Sequence, residues 1–127
     1  MSRTILLIED NEQNRYLATY LLEQQGHRVV SAHDGPAGIE MAQTLAPDLI
    51  LLDIQLPRMD GYAVARALRG ITSLSHIPII AVTSYAMAGD REKTLAAGCN
   101  GYIEKPINPD TFAAEIERLA SAPSPAS

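Results

Sequence analysis

The sequence predicts an α/β fold in which helices flank a doubly wound, five-stranded parallel sheet. Its short apolar runs are continuous rather than alternating, which is typical of strands that are covered on both faces. Segments with apolar residues at helical spacing lie between these runs, so that strand and helix alternate five times. This alternation favours right-handed crossovers and a single sheet of (βα)5 type.

Five strands are predicted from the apolar runs. Three runs are strongly apolar and predict buried strands, at residues 5–8, 49–52 and 77–82. Two less apolar runs, at residues 27–32 and 101–104, predict weaker strands.

The first two helices are predicted by apolar stripes and by the residues at their ends. The first stripe covers residues 17–22, and Gly26 closes that helix as a C-cap. The second stripe covers residues 39–45. Pro36 lies near the first turn of this helix, and Pro47 prevents its continuation.

The next two helices are shorter. The third contains Val64 and Leu68, and Asp60 is placed to act as its N-cap. The fourth surrounds Leu95 and ends at Gly98.

The fifth helix carries an apolar stripe over residues 112–119, with Asn108 expected as its N-cap and Pro109 at its first position. Beyond it, the chain is rich in Ser, Pro and Ala. We therefore expect one domain over residues 1–120 and a disordered C-terminal tail over residues 121–127.

Composition excludes several classes of protein. A chain of 127 residues can bury a full core as one domain, and the single Cys99 rules out a disulfide scaffold. Fifteen acidic residues against ten basic ones, with no basic run, argue against direct nucleic-acid binding. No apolar run approaches the roughly 18 residues of a membrane span, and no signal peptide is evident. A cytoplasmic location is expected.

Chemically active side chains follow four of the predicted strands. Glu9 and Asp10 follow the first strand, Asp53 the third, Thr83 ends the fourth and Lys105 follows the fifth. Ligands of open parallel sheets bind at the carboxyl ends of the strands, so these side chains are expected at one edge. Three neighbouring carboxylates repel one another unless a cation neutralises them, and oxygen ligands favour Mg²⁺.

Asp53 follows four aliphatic residues, where a carboxylate is costly unless it has a partner or a chemical role. Carboxylates can act as nucleophiles toward phosphorus and form an aspartyl phosphate. Phosphoryl transfer mainly requires positioned charge, which Mg²⁺, Thr83 and Lys105 could supply together.

In this set of residues the chain resembles the receiver domains of two-component response regulators. The resemblance rests on Glu9-Asp10, Asp53, the stretch 57–61, Thr83 and Lys105-Pro106, in this order and spacing. It extends from about residue 3 to residue 120 and is closest to stand-alone, single-domain receivers. It implies a flavodoxin-like fold with strand order 2-1-3-4-5.

The resemblance also implies a metal site. Asp53 would be the phosphoacceptor and a ligand of Mg²⁺. Asp10 would bind the ion directly, Glu9 largely through water, and Gln55 through its backbone carbonyl.

The remaining implied roles concern the phosphoryl group and the switch. Thr83 would donate its hydroxyl to a phosphoryl oxygen, and Lys105 would pair with the phosphoryl group. The bond from Lys105 to Pro106 would be cis. Tyr102 would be the switch aromatic, moving inward when Thr83 moves toward the phosphate.

The implied partners are a histidine kinase or a histidine phosphotransfer protein, which would dock at Asn11, Gln13, Asn14 and Arg15. Substitution of Arg15 would then slow transfer from a protein donor and spare small donors. Output would pass through protein contacts from a monomer or weak dimer, to a target that the sequence does not identify. Such a chain would assist its own phosphorylation and dephosphorylation without being a dedicated enzyme.

Three alternatives remain. A Mg²⁺-dependent phosphatase with an aspartate nucleophile needs a second aspartate as general acid, and Gln55 occupies that position. A flavodoxin-like cofactor binder needs a phosphate loop after the first strand, whereas residues 9–12 are acidic. The third is an unphosphorylated pseudo-receiver that serves as a docking module.

Overall fold

A single parallel sheet organises the computed structural model, which describes residues 2–57, 59–84 and 88–121. Its spatial order is β2-β1-β3-β4-β5, and every neighbouring pair is parallel. The predicted fold class and strand order are confirmed. The strands are β1 (Thr4–Ile8), β2 (Arg28–Ala32), β3 (Leu49–Asp53), β4 (Ile79–Thr83) and β5 (Gly101–Glu104).

Helices cover both faces of the sheet. They are α1 (Glu12–Gln24), α2 (Gly35–Leu45), α3 (Gly61–Arg69), α4 (Ala88–Ala96) and α5 (Phe112–Ser121), with a short 3-10 helix at Thr72–Leu74. Alternate strand residues point to opposite faces, so Leu6 and Ile50 join one apolar cluster while Ile5 and Leu49 join the other. α2 and α3 contribute to the first cluster, and α1 and α5 to the second.

Burial explains the different strengths of the strand signals. β3 and β4 are buried along their whole length, whereas the edge strands β2 and β5 are only partly buried. β4 begins at Ile79 rather than at the predicted residue 77. The Ile77 amide instead donates to the Leu74 carbonyl, and Pro78 has no amide hydrogen to donate to a sheet partner.

Most predicted helix ends are confirmed. Gly26, at φ +87°, follows α1, where the Gly26 amide donates to the Glu23 carbonyl and the His27 amide to the Leu22 carbonyl. The Asp60 carboxylate accepts the Ala63 amide as the N-cap of α3.

The start of α5 was predicted too early. Asn108 caps a preceding turn, because its side-chain oxygen accepts the Asp110 amide and its carbonyl accepts the Phe112 amide. The helix itself begins at Phe112 and ends at Ser121, one residue into the stretch expected to be tail. Residues 122–127 of that expected tail lie outside the described residues.

No helix of the described segments is both long and apolar enough to cross a membrane.

Gly61, the first residue of α3, lies against the end of β3. A Cβ atom built at Gly61 would lie 2.4 Å from the Ile54 Cα and 2.7 Å from the Asp53 carbonyl oxygen. Both neighbours are backbone atoms, so a side chain could be accommodated only by moving the chain that carries Asp53.

We expect Gly61→Ala to lower the free energy of unfolding by about 2 kcal/mol, within the usual range for overpacking. Urea unfolding would measure this change. The control is Gly89→Ala in α4, where a new Cβ meets nothing within 4 Å. That substitution should be neutral or stabilising by less than about 1 kcal/mol. Equal effects at the two positions would contradict the packing argument.

Candidate functional site

Three carboxylates meet at the carboxyl-terminal edge of the sheet. Ile8 pairs with Leu52 in the register of β1 and β3, so the next residues, Glu9 and Asp53, lie side by side. One carboxylate oxygen from each of Glu9, Asp10 and Asp53 lies within 4.8 Å of the others. Glu9 and Asp53 are only 3% and 2% exposed, whereas Asp10 is exposed.

Lys105 brings a positive charge to the same point from the edge strand. Its Nζ lies 3.0 Å from Asp53 Oδ1 and 3.8 Å from Glu9 Oε1, and its side chain is 17% exposed. The Lys105 amide donates to the Thr83 carbonyl, and the Lys105–Pro106 peptide bond is cis. The lysine thus crosses the end of β4 to reach β3.

Asp53 accepts two hydrogen bonds at the same oxygen. Lys105 Nζ donates at 3.0 Å and the Gln55 backbone amide at 2.9 Å, both to Oδ1. A buried carboxylate needs such donors, because the site supplies little water to solvate its charge.

Burial and the neighbouring Asp53 raise the pKa of Glu9 to about 8. Burial has the largest effect, and a hydrogen bond with Asp53 and its negative charge add to it. The Asn11 amide and the charge of Lys105 act in the opposite direction. One ammonium group therefore does not balance the acidic cluster, and a divalent cation with a preference for oxygen ligands fits this donor set.

Gln55 connects the loops that follow β3 and β4. Its backbone amide donates to Asp53, and its side-chain Oε1 accepts the Ser84 amide at 3.0 Å. Gln55 was predicted to contribute only its backbone carbonyl, as a metal ligand. In the structure its side chain also connects the loops after β3 and β4. No feature of the sequence indicates this contact, because it depends on the conformation of the Gln55 side chain.

Thr83 and Tyr102, the two predicted switch residues, lie on adjacent strands. Thr83 is buried at the end of β4 and pairs with Glu104, two residues beyond Tyr102. Tyr102 is half-buried, packs on the core and lines a groove of about 430 Å³ that Leu95 and Leu119 also line. The two side chains are not direct register partners.

The predicted docking residues lie where α1 begins. Asn11 is the N-cap, since its Oδ1 accepts the Asn14 amide at 2.9 Å, and Gln13 is exposed. Asn14 lines a groove of about 360 Å³ whose other wall includes Lys105. Arg15 is half-buried, and its Nη1 donates to the carbonyls of Glu9 and Asp10.

Comparison with known proteins identifies close relatives. A family model described as the response regulator receiver domain matches residues 5–117. The polar-differentiation response regulator DivK of Brucella ovis is 40% identical over 117 residues, which are 92% of this chain and 95% of that protein. DivK of Brucella abortus matches to the same extent.

Solved structures agree with these sequence matches. The chemotaxis response regulator CheY4 of Vibrio cholerae superimposes with a TM-score of 0.89 at 26% identity, over 94% of this chain and 99% of that one. The receiver domain of the sensor histidine kinase PA1611 of Pseudomonas aeruginosa has a TM-score of 0.86 at 35% identity, over 96% and 100%. In that structure a magnesium ion is coordinated in the active site cleft.

The raised pKa of Glu9 predicts a pH dependence of stability in metal-free buffer. Folded Glu9 keeps its proton up to about pH 8, whereas an unfolded glutamate loses it near 4.5. Through Glu9, the folded state therefore binds more protons between these values, and this group should lower the free energy of unfolding as pH rises through that window. The lowered pKa of the buried His27 acts in the opposite direction, so the contribution of Glu9 is read from the difference between variants. Urea unfolding across this range would measure the slope.

Glu9→Gln should flatten the slope, because the glutamine keeps the shape of the side chain and does not titrate. The exposed Glu92→Gln in α4 is the matched control and should leave the slope unchanged. A slope in Glu9→Gln equal to that of the unsubstituted protein would show that Glu9 is not its source.

Proposed function

The chain belongs to the response regulator receiver domain family, and from that premise we propose that it is a phosphorelay switch whose phosphoacceptor is Asp53. The observation that carries the proposal is the buried Asp53 carboxylate, held 3.0 Å from Lys105 Nζ beside two further carboxylates. In the proposed step, a carboxylate oxygen of Asp53 attacks the phosphorus of a phosphohistidine. The P–N bond breaks, and the imidazole leaves with the electron pair.

The proposal includes a Mg²⁺ site. Asp10 and Asp53 would hold the ion directly, Glu9 largely through water, and Gln55 through its backbone carbonyl. The ion would supply positive charge to the oxygens of the phosphoryl group. Two observations support it: the acidic cluster exceeds the charge of its one lysine, and the similar PA1611 receiver has magnesium coordinated in its own active site cleft.

Lys105 and Thr83 would bind the phosphoryl group once it is attached. The Lys105 ammonium already pairs with Asp53 and would form an ion pair with the phosphoryl oxygens after transfer. The Thr83 hydroxyl would donate to one of these oxygens. Its movement would favour the inward position of Tyr102 in a pre-existing two-state equilibrium.

Receiver domains interact with histidine kinases or phosphotransfer proteins, and we assign the donor surface to the start of α1. Asn14 lines the groove that reaches Lys105, and the other proposed docking residues, Asn11, Gln13 and Arg15, are its neighbours at the start of α1. Output would pass through protein contacts, as expected for a stand-alone receiver that is a monomer or weak dimer. We also propose a cytoplasmic location, with which the unpaired thiol of Cys99 is compatible.

A Mg²⁺-dependent phosphatase is the less supported reading of this site. The side chain two positions after Asp53 would have to exchange a proton with the leaving group. Gln55 has no such proton, and its Oε1 accepts the Ser84 amide. The ion pair between Lys105 and Asp53 does not separate phosphorylation from a passive docking role, because a buried carboxylate needs such a donor in either case.

Incubation with acetyl phosphate and Mg²⁺ should add one phosphoryl group to the protein, read by intact mass after rapid quenching. Asp53→Asn should abolish the adduct, because an amide oxygen is a poor nucleophile and cannot form a stable acyl phosphate here. Omission of Mg²⁺ should also prevent it. If the protein stays unmodified in short incubations, the result would favour the pseudo-receiver. If Asp53→Asn still forms the adduct, the phosphoacceptor is a residue other than Asp53.

Lys105→Gln should slow phosphorylation by acetyl phosphate roughly 10²–10³-fold, the usual effect of removing one preorganised charge-stabilising donor. The matched control is Lys93→Gln, since the chain has only these two lysines and Lys93 is exposed on α4 over the Tyr62 ring. Circular dichroism would verify that both variants are folded. Equal phosphorylation rates in the two variants would show that Lys105 does not assist phosphoryl transfer.

A further inference from the structure

The guanidinium of Arg15 contacts the backbone of the acidic turn between β1 and α1. Its Nη1 donates to the Glu9 carbonyl at 3.0 Å and to the Asp10 carbonyl at 2.9 Å. No carboxylate among the described residues forms an ion pair with Arg15. The charge of this arginine is therefore directed at two peptide groups that belong to candidate metal ligands.

Arg15 completes a set of hydrogen bonds that fixes this turn. The Asn11 amide donates to Glu9 Oε2, the Asn14 amide to Asn11 Oδ1, and the Arg15 amide to the Asn11 carbonyl. None of these three bonds holds the Glu9 or Asp10 carbonyl. The Arg15 side chain supplies that contact from one turn along α1, the only such contact from a side chain in the segments described.

The turn needs such a restraint because the carboxylate of Asp10 lies close to that of Asp53, and like charges repel. Asp10 is exposed, and no described residue donates a hydrogen bond to its carboxylate. Without a restraint on the Asp10 backbone, this repulsion would move its exposed carboxylate further from the buried Asp53.

We propose that Arg15 is a positioning residue that holds the Glu9–Asp10 backbone in the conformation that binds the divalent cation. This inference rests on the metal site of the proposed function. It reassigns Arg15 from a contact for the phosphodonor to a support for the metal ligands.

The sign of the effect separates positioning from simple charge. A guanidinium near a cation site repels the cation, so removing the charge alone would tighten Mg²⁺ binding. Removing a support of the ligands would weaken binding instead, as loss of outer-shell partners does. The two roles therefore predict opposite changes in Mg²⁺ affinity.

The test is a Mg²⁺ titration of the full chain, followed by the amide NMR shifts of the residues around the site. We expect Arg15→Gln to weaken Mg²⁺ binding about tenfold, the lower end of the range for lost outer-shell contacts. Arg15→Lys should lose less, because an ammonium can still donate to a carbonyl although it lacks the planar fork. The control is Arg28→Gln, which removes an equal charge from the exposed start of β2.

Amide hydrogen exchange in metal-free protein gives a second readout. The Asn11 and Asn14 amides should exchange faster in Arg15→Gln than in the unsubstituted protein or in Arg28→Gln, because the turn opens more often. This readout needs neither Mg²⁺ nor phosphorylation. A protein that fails to bind Mg²⁺ or to be phosphorylated would contradict the proposed function and leave this measurement decisive for Arg15.

The rates with two phosphodonors complete the test. A positioning role predicts that Arg15→Gln slows phosphorylation by acetyl phosphate and by a phosphorylated histidine phosphotransfer protein to the same degree. Slowing with the protein donor alone would overturn the proposal and indicate that Arg15 contacts the phosphodonor. Unchanged or tighter Mg²⁺ binding together with unchanged amide exchange would overturn it as well.

Discussion

Two buried carboxylates side by side, with one lysine between them, form the constraint on which this site depends. Glu9 and Asp53 are neighbours because β1 and β3 are adjacent and parallel, so that the residue after β1 and the last residue of β3 lie at the same edge. Neither carboxylate has enough solvent to stabilise a full charge. Asp53 is stabilised by its ion pair with Lys105. Burial and the neighbouring Asp53 raise the pKa of Glu9, which favours its protonated form.

That constraint accounts for features that lie outside the cluster. The chain must turn tightly after Asp53 for the Gln55 amide to donate back to its carboxylate, and α3 then packs so closely on the turn that only glycine fits at position 61. On the other side, Lys105 must lie at the end of the edge strand to reach across β4. The backbone geometry at these strand ends thus places the donors that stabilise the buried charge of Asp53.

The sequence predicted those parts of the molecule that depend on local chemistry and missed those that depend on side-chain direction. Continuous apolar runs predicted the central strands because β3 and β4 are buried on both faces, and Asp60 was recognisable as a cap because it acts on its own helix. The contacts of Arg15 with the Glu9 and Asp10 carbonyls were not predicted, because a helical pattern does not reveal that the guanidinium folds back onto a loop. The first residues of β4 and α5 were predicted too early, because tight turns provide the hydrogen bonds of the preceding backbone without a sheet or a helix.

Under the proposed function, the contacts around Asp53 also limit how a phosphoryl group can be sensed. Lys105 and Gln55 both donate to the oxygen of Asp53, and each is joined to the end of β4: the Lys105 amide to the Thr83 carbonyl, and the Gln55 side chain to the Ser84 amide. A phosphoryl group would compete for these donors, and a displacement of either residue would act on the end of β4 through that residue's second hydrogen bond. Because β4 pairs with β5, such a change reaches the strand that carries Tyr102 without requiring direct contact between Tyr102 and the phosphate.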